Sequence, residues 1–254
     1  MSAMMMSSRP KPRVVIVPGN GCSPTEDCNW YGWLRDRINE DPAFSECILR
    51  DMPDPDEAYE RTWLPFIIND MKADENTIVI GHSSGAQAAM RLLEKHRLLG
   101  CVLVAACITD GGLESERISG YYDRPWKWAK IRSNANWILQ YHSSDDPFIK
   151  RKEPDQVAQA IGSDYTFFDD RSHFFDPSSV RHILPDILHK LATMQASSDA
   201  VSAPVPVPGR ATAPGQKAVK KFCILNCENS TAWSPQDFGD MFLYHLSRRA
   251  HGTG

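Results

Sequence analysis

The chain has 254 residues, a formal net charge of −4, 42% hydrophobic residues and 24% charged residues, the balance of an ordinary soluble globular protein. A mildly acidic chain lacks the basic footprint of a nucleic-acid binder, and no apolar run approaches the ~20 residues that span a bilayer. Neither nucleic acid nor a membrane is therefore an expected partner, and the length suits one α/β domain with residues to spare.

The opening MSAMMMSSRPKPR lacks the apolar stretch of a signal peptide, so residues 1–12 read as a disordered leader. From Arg13 to about Met194, strand-like runs alternate with helix-like runs. RVVIVPG (13–19) comes first, then a helical pattern over about 29–40. ECILRDM (46–52), a helix over 57–72 and NTIVIGH (76–82) follow. Next come a helix over 84–97, CVLVAAC (101–107), a helix over 126–132 and WILQYHS (137–143). A helix over 153–161, DYTFFDD (164–170) and a helix over 178–194 complete the series. Several strand candidates are short, continuous and β-branched, as parallel strands covered on both faces should be. The alternation predicts a three-layer α/β/α sandwich around a mostly parallel, six-stranded sheet.

That rhythm stops near Met194. Residues 195–221 are rich in Pro, Ala and Ser and read as an extended linker. Residues 222–254 form a tail with one short helix, expected near QDFGDMFLYHLSRR, and are too few for a core of their own. Cys223-x3-Cys227 and His245-x5-His251 loosely echo a zinc site, but the 17-residue gap is longer than usual, and no metal is expected. The seven cysteines are an odd number. They read as reduced thiols of a cytoplasmic or nuclear protein.

Within TIVIGHSSGAQAAM (77–90), Gly81-His82-Ser83-Ser84-Gly85 fits G-x-S-x-G between a strand and a helix. A serine on such a corner projects its hydroxyl above the sheet, and the glycines let strand and helix pass closely. Ser83 is therefore the candidate nucleophile. Ser84, flanked at ±2 by His82 and Ala86, is the weaker choice. The N–H of Ser84 lies at a helix start and is half of an oxyanion hole. The second donor should come from the loop after the first strand, Pro18-Gly19-Asn20-Gly21. Asn20 is preferred there, with Gly19 as the fallback. The same loop is a poor nucleotide-binding motif, because no G-x-G-x-x-G is completed.

A serine needs a base, and the base an orienting acid. In the order serine–acid–histidine, Asp146 follows one predicted strand in SSDDPF and His173 follows the next in RSHFFD. Both sit past C-terminal strand ends, where open α/β sheets bind ligands. Asp145 could replace Asp146, which is preferred because it directly precedes Pro147. His96, His182 and His189 fall in helical runs and read as exposed or satisfied, while His82 reads as pocket lining. Trp30, Tyr121 and Trp126 are the candidate substrate pocket, whereas Trp33 and Trp63 read as core. Arg124 reads as half of an ion pair in preference to a carboxylate receptor.

Taken in order, VIVPGNG, NWYGW, MPDP, WLPF, GHSSGAQAAMR, RISGYYDRPWKW, SSDDPF and SHF resemble the small serine hydrolases related to retinoblastoma-binding protein 9. The resemblance spans roughly Val14 to Leu191. It implies an α/β-hydrolase fold without a large lid and activity on small ester or amide substrates, with no cofactor. It assigns nucleophile, acid and base to Ser83, Asp146 and His173. Binding of a pocket protein is not carried over: Met71 to Glu75 keeps only the glutamate of L-x-C-x-E, and LNCEN (225–229) misplaces the acid. The competing expectation is an interaction module that keeps a hydrolase fold with little turnover.

Overall fold

A computed structural model describes residues 10–202 of the chain. The leader up to residue 9 and the tail with its Cys/His pattern lie outside the described residues. A compact unit ends at Ser197, and the architecture is that of this unit.

Six strands form one sheet: β1 (Arg13–Val17), β2 (Glu46–Ile48), β3 (Thr77–His82), β4 (Gly100–Val104), β5 (Ile138–Ser143) and β6 (Asp164–Phe168). Their spatial order is β2-β1-β3-β4-β5-β6 and every pairing is parallel. The helices are α1 (Tyr31–Glu40), α2 (Glu60–Asn69), α3 (Ser84–Leu93), α4 (Glu114–Ile118), α5 (Trp128–Ser133), α6 (Lys152–Ile161) and α7 (Ile183–Ser202).

The strands β3, β4 and β5 are buried along their whole length, because helices cover both faces. Side chains alternate between two cores. Val15, Val17 and Val79 join Trp63, Ile67 and the alanines of α3 on one face. Val14, Ile16, Ile78 and Ile80 join Leu34, Ile38, Ile183 and Ile187 on the other. No helix of the described residues is long and apolar enough to cross a membrane.

The departures from expectation are at element ends. β2 pairs with β1 over only three residues, so Leu49 to Met52 leave the edge of the sheet. α3 stops at Leu93, where Lys95 and His96 turn back on Leu92 O. α7 continues to Ser202, eight residues past the predicted boundary. Ala, Gln, Ser and Asp do not break a helix, and the first proline of the linker is Pro204. The five-residue α4 was not expected at all.

Strand order reverses at β1, since β2 lies on one side and β3 on the other. The loops leaving β1 and β3 therefore open a crevice at the C-terminal edge, the usual ligand position in such sheets.

Candidate active site

Ser83 joins β3 to α3 with φ 53° and ψ −123°, a left-handed conformation costly for a residue with a side chain. The corner is held from both sides. The Ser83 N–H donates to Val104 O at 2.9 Å, and its carbonyl accepts from Ala86 N at 2.7 Å. The flanking glycines are required by space. A Cβ on Gly81 would overlap the Gly85 backbone, and one on Gly85 would overlap the carbonyls of Val17 and Pro18. The β1 loop presses against the serine itself: a Cβ on Gly19 would stand 3.3 Å from Ser83 Cβ.

Asp146 follows β5 and His173 follows β6, and the structure brings them together. His173 Nδ1 donates to Asp146 Oδ2 at 2.8 Å. Asp146 also accepts the N–H groups of Phe148 (2.9 Å) and Ile149 (3.0 Å) on Oδ1. Burial works against its ionised form, but the His173 contact and the two N–H donors outweigh it and hold the carboxyl below its ordinary value. Asp145 points elsewhere. It accepts from Ser143 Oγ at 2.5 Å and Ser172 N at 2.8 Å, tying the loop of the base to the end of β5. Ser172 (φ 48°) and Phe174 (φ 58°) on either side of His173 are both left-handed. The imidazole thus sits on a tightly constrained bend.

His82 is buried and does more than line a pocket. Its Nδ1 meets the Tyr31 hydroxyl at 2.6 Å and its Nε2 meets the His173 carbonyl at 2.8 Å. A carbonyl can only accept, so Nε2 carries the proton and Tyr31 donates to Nδ1. Desolvation first, and then the positive charge that His173 can carry, push the His82 pKa down to about 3. His82 is therefore neutral and links α1, β3 and the loop of the base. Its ring lies 5.0 Å from that of His173, which seats the base beside the residue preceding Ser83. Sequence reasoning missed this role because neither Tyr31 nor the His173 carbonyl is near His82 along the chain.

The Tyr31 hydroxyl also accepts from Gly19 N at 2.9 Å, and Gly21 N is taken by Pro55 O at 2.7 Å. Of that turn, Asn20 is left as the candidate oxyanion donor, to act with Ser84. A carboxyl not foreseen from sequence lies over both. Glu116, on α4, accepts from Asn20 Nδ2 (3.3 Å), Ser84 Oγ (3.4 Å) and the Tyr122 hydroxyl (3.2 Å). Burial raises its pKa above the ordinary carboxylate value.

The expected aromatic pocket takes another form. Trp30 and Tyr121 are fully buried. The Trp30 indole donates to Phe174 O at 2.8 Å and so braces the base loop from the core. Trp126 is half-buried, but its indole donates to Ile108 O at 3.0 Å and its ring stacks on the Arg91 guanidinium. Trp30 and Trp126 thus hold loops in place, while Tyr121 is sealed in the core with its hydroxyl unpartnered. Trp63 is core, as expected, whereas Trp33 is only partly buried and packs on the edge of its cluster. Arg124 forms a two-pronged pair with Glu60 at 2.6 and 2.7 Å. His182, expected to be exposed or satisfied, packs between Tyr141 and Phe168 with its Nε2 unpartnered.

Among the described residues, no three His, Cys, Asp or Glu side chains group to hold a metal ion. The described cysteines, Cys22, Cys28, Cys47, Cys101 and Cys107, are all free thiols.

Known proteins share both the sequence and the fold of this chain. Serine hydrolase RBBP9 of Rattus norvegicus is 47% identical over 162 residues, covering 64% of this chain and 87% of the rat protein. The crystal structure of the ydeN gene product of Bacillus subtilis superposes with a TM-score of 0.61 at 24% identity, covering 72% of this chain and 99% of that one. A lipase-esterase related protein of Clostridium acetobutylicum shares the fold at a TM-score of 0.51 and 14% identity, over 70% and 94% of the two chains. The profile of the family described as Serine hydrolase matches residues 14–191, from the second residue of β1 into α7. The chain therefore belongs to the serine hydrolase family and is a serine hydrolase of the α/β-hydrolase fold.

Proposed function

We propose that Ser83, His173 and Asp146 act as a catalytic triad that hydrolyses small esters or amides through an acyl-enzyme. The observation that carries this reading is the 2.8 Å bond from His173 to the buried Asp146 carboxylate, with the His173 ring 5.0 Å from that of His82, the residue before the left-handed Ser83 elbow. His173 Nε2 takes the Ser83 proton as Oγ attacks the acyl carbon. Asp146 fixes the tautomer with the proton on Nδ1 and steadies the imidazolium. The N–H groups of Ser84 and Asn20 receive the developing oxyanion, each such donor being worth ~10²–10³ in rate. Water, activated by the same imidazole, then releases the acid. No metal or cofactor takes part in this scheme.

A fluorophosphonate probe tests it. Wild-type protein is expected to label on Ser83, and Ser83→Ala to lose both labelling and p-nitrophenyl ester hydrolysis while keeping its melting temperature. Folded wild-type protein that fails to label would instead favour an interaction module on a hydrolase fold.

A further inference from the structure

The scheme assigns groups to the nucleophile, the base and the oxyanion, but none to the alcohol or amine that departs. That group has a defined place. In acylation a bond forms from Ser83 Oγ to the acyl carbon, and the bond from that carbon to the leaving oxygen or nitrogen breaks. The electron pair stays on the leaving atom, which takes the proton held by His173 Nε2. The leaving atom must therefore lie within hydrogen-bond reach of that nitrogen, and its substituent must run along whatever flanks the His173 ring.

Two phenylalanines flank it. The Phe148 ring stands edge-on to His173 with centroids 5.0 Å apart and planes at 84°. Phe175 lies 5.5 Å from His173 and meets Phe148 perpendicularly at 6.2 Å. Phe148 is 48% exposed. Among the described residues, the large hydrophobic side chains that stand out in water are Leu113, Ile118 and Phe148. Phe148 is the aromatic one, and it touches the base. Its position is not that of a loose loop, since its own N–H is fixed by Asp146 Oδ1 at 2.9 Å. The carboxylate that orients the base thus also fixes the main chain that carries the ring beside it. Two rings at right angles leave an apolar corner, and an aromatic guest can pack edge-to-face against either. The oxyanion side is polar by contrast, with Asn20, Ser84 and Glu116 gathered there.

We propose that Phe148 and Phe175 form the leaving-group subsite of this enzyme, and that it takes aromatic or extended apolar alcohols and amines. The inference rests on the triad reading above. A short alkyl alcohol reaches the proton of His173 but leaves both rings wet. An arylalkyl alcohol covers them.

Acyl transfer tests the subsite directly, because an alcohol that attacks the acyl-enzyme passes through the position of the leaving group. p-Nitrophenyl acetate generates the acetyl-enzyme, and water, ethanol or 2-phenylethanol compete for it. The two alcohols have similar hydroxyl acidity. The wild type is expected to transfer acetyl to 2-phenylethanol ~10-fold more efficiently than to ethanol at equal concentration. Phe148→Ala should abolish that preference, and Phe175→Leu, chosen to keep the half-buried volume, should weaken it. Hydrolysis of the acetyl-enzyme by water is the internal reference in each variant, and each transfer rate is read as its ratio to that reference. Equal transfer to both alcohols by the wild type would overturn the proposal. So would a Phe148→Ala enzyme that slows water and both alcohols alike, which would make the ring a support for His173. Release of p-nitrophenol that persists in Ser83→Ala would remove the triad reading, and the subsite with it.

Discussion

His82 is joined to His173 through the main chain: its Nε2–H donates to the His173 carbonyl over 2.8 Å. The residue before Ser83 thus fixes the backbone of the proposed base, while Asp146 fixes its ring from the other side. Tyr31 completes the line by donating to His82 Nδ1 at 2.6 Å. Removing the middle of this line should cost both stability and rate. In His82→Ala the Tyr31 hydroxyl and the His173 carbonyl lose partners in a buried place, which costs ~1–3 kcal/mol for each group left unsatisfied. Urea unfolding is expected to show that loss, and kcat for p-nitrophenyl acetate should fall at least ~10-fold with little change in KM. An unchanged kcat in a destabilised variant would make His82 purely structural.

The two aspartates of SSDDPF should separate sharply. Asp146→Asn keeps the shape but removes the charge that steadies the imidazolium, so kcat should drop by ~10³–10⁴. Asp145→Asn keeps a carbonyl acceptor for Ser172 N and Ser143 Oγ and should lose less than ~10-fold. Steady-state kinetics of the two variants side by side checks the assignment, and equal losses would contradict it.

Acid should destabilise the fold through His82 before the carboxylates protonate. The His82 pKa falls from an ordinary 6.5 to about 3 on folding, so the unfolded chain binds the extra proton between those values. Stability supplied by the neutral ring is complete above pH 6.5 and declines as pH drops toward 3, at up to ~1.4 kcal/mol per pH unit. Asp146 adds a second loss at lower pH. Its folded value is depressed, so its contribution is present above the unfolded carboxyl value and disappears as pH falls through the folded one. Urea midpoints measured from pH 7 to pH 4 should decline, and the decline should become shallower in His82→Gln, with the remainder supplied by His142 and His182, which burial also shifts down.

Arg91 anchors the loop from Tyr121 to Pro125. Its guanidinium, fully buried, donates to the carbonyls of Tyr121, Arg124 (2.7 Å) and Pro125 (3.3 Å) and pairs with Glu94 at 2.5 Å. Glu94 also accepts Lys127 N at 3.0 Å. Arg91→Met leaves a buried carboxylate short of its partner and should destabilise by ~3–5 kcal/mol. Arg91→Met with Glu94→Leu should recover part of this, as a double-mutant cycle in urea would read.

Glu116 sets a carboxyl, ionised above its raised pKa, against the side chains of Asn20 and Ser84. Substrates with an anionic acyl group should therefore be poor. Glu116→Gln keeps an acceptor for Asn20 and Ser84 and should raise kcat/KM for a p-nitrophenyl succinyl monoester about fivefold relative to the butyryl ester. A constant ratio would place the carboxyl too far from the acyl group to matter.

Much of this was legible along the chain because the relevant physics is local. Alternating apolar runs and turn residues located all six strands and six of the seven helices. The elbow could be read because a strand, two glycines and a helix must follow one another within a few residues. Asp146 and His173 could be named because the sheet delivers successive strand ends to one edge. Element ends were less certain: α7 ran past its predicted stop, since nothing before Pro204 forbids a helix. The aromatic residues were the least legible. A tryptophan in a loop has the same letters whether it lines a cleft or braces a carbonyl, and Trp30 and Trp126 do the latter.

Sequence alone determined the class of fold, the strained serine corner and the order of the catalytic candidates, because periodicity and turn chemistry act over short stretches. Only the tertiary structure decided which aspartate meets His173. The same holds for His82, which is neutral and holds the base by its backbone, for the carboxyl of Glu116 above the elbow, and for Phe148 standing exposed beside the imidazole. Each of these is a relation between residues far apart in the chain. Its energy depends on burial and on an orientation that exists only once the sheet and its loops have closed together.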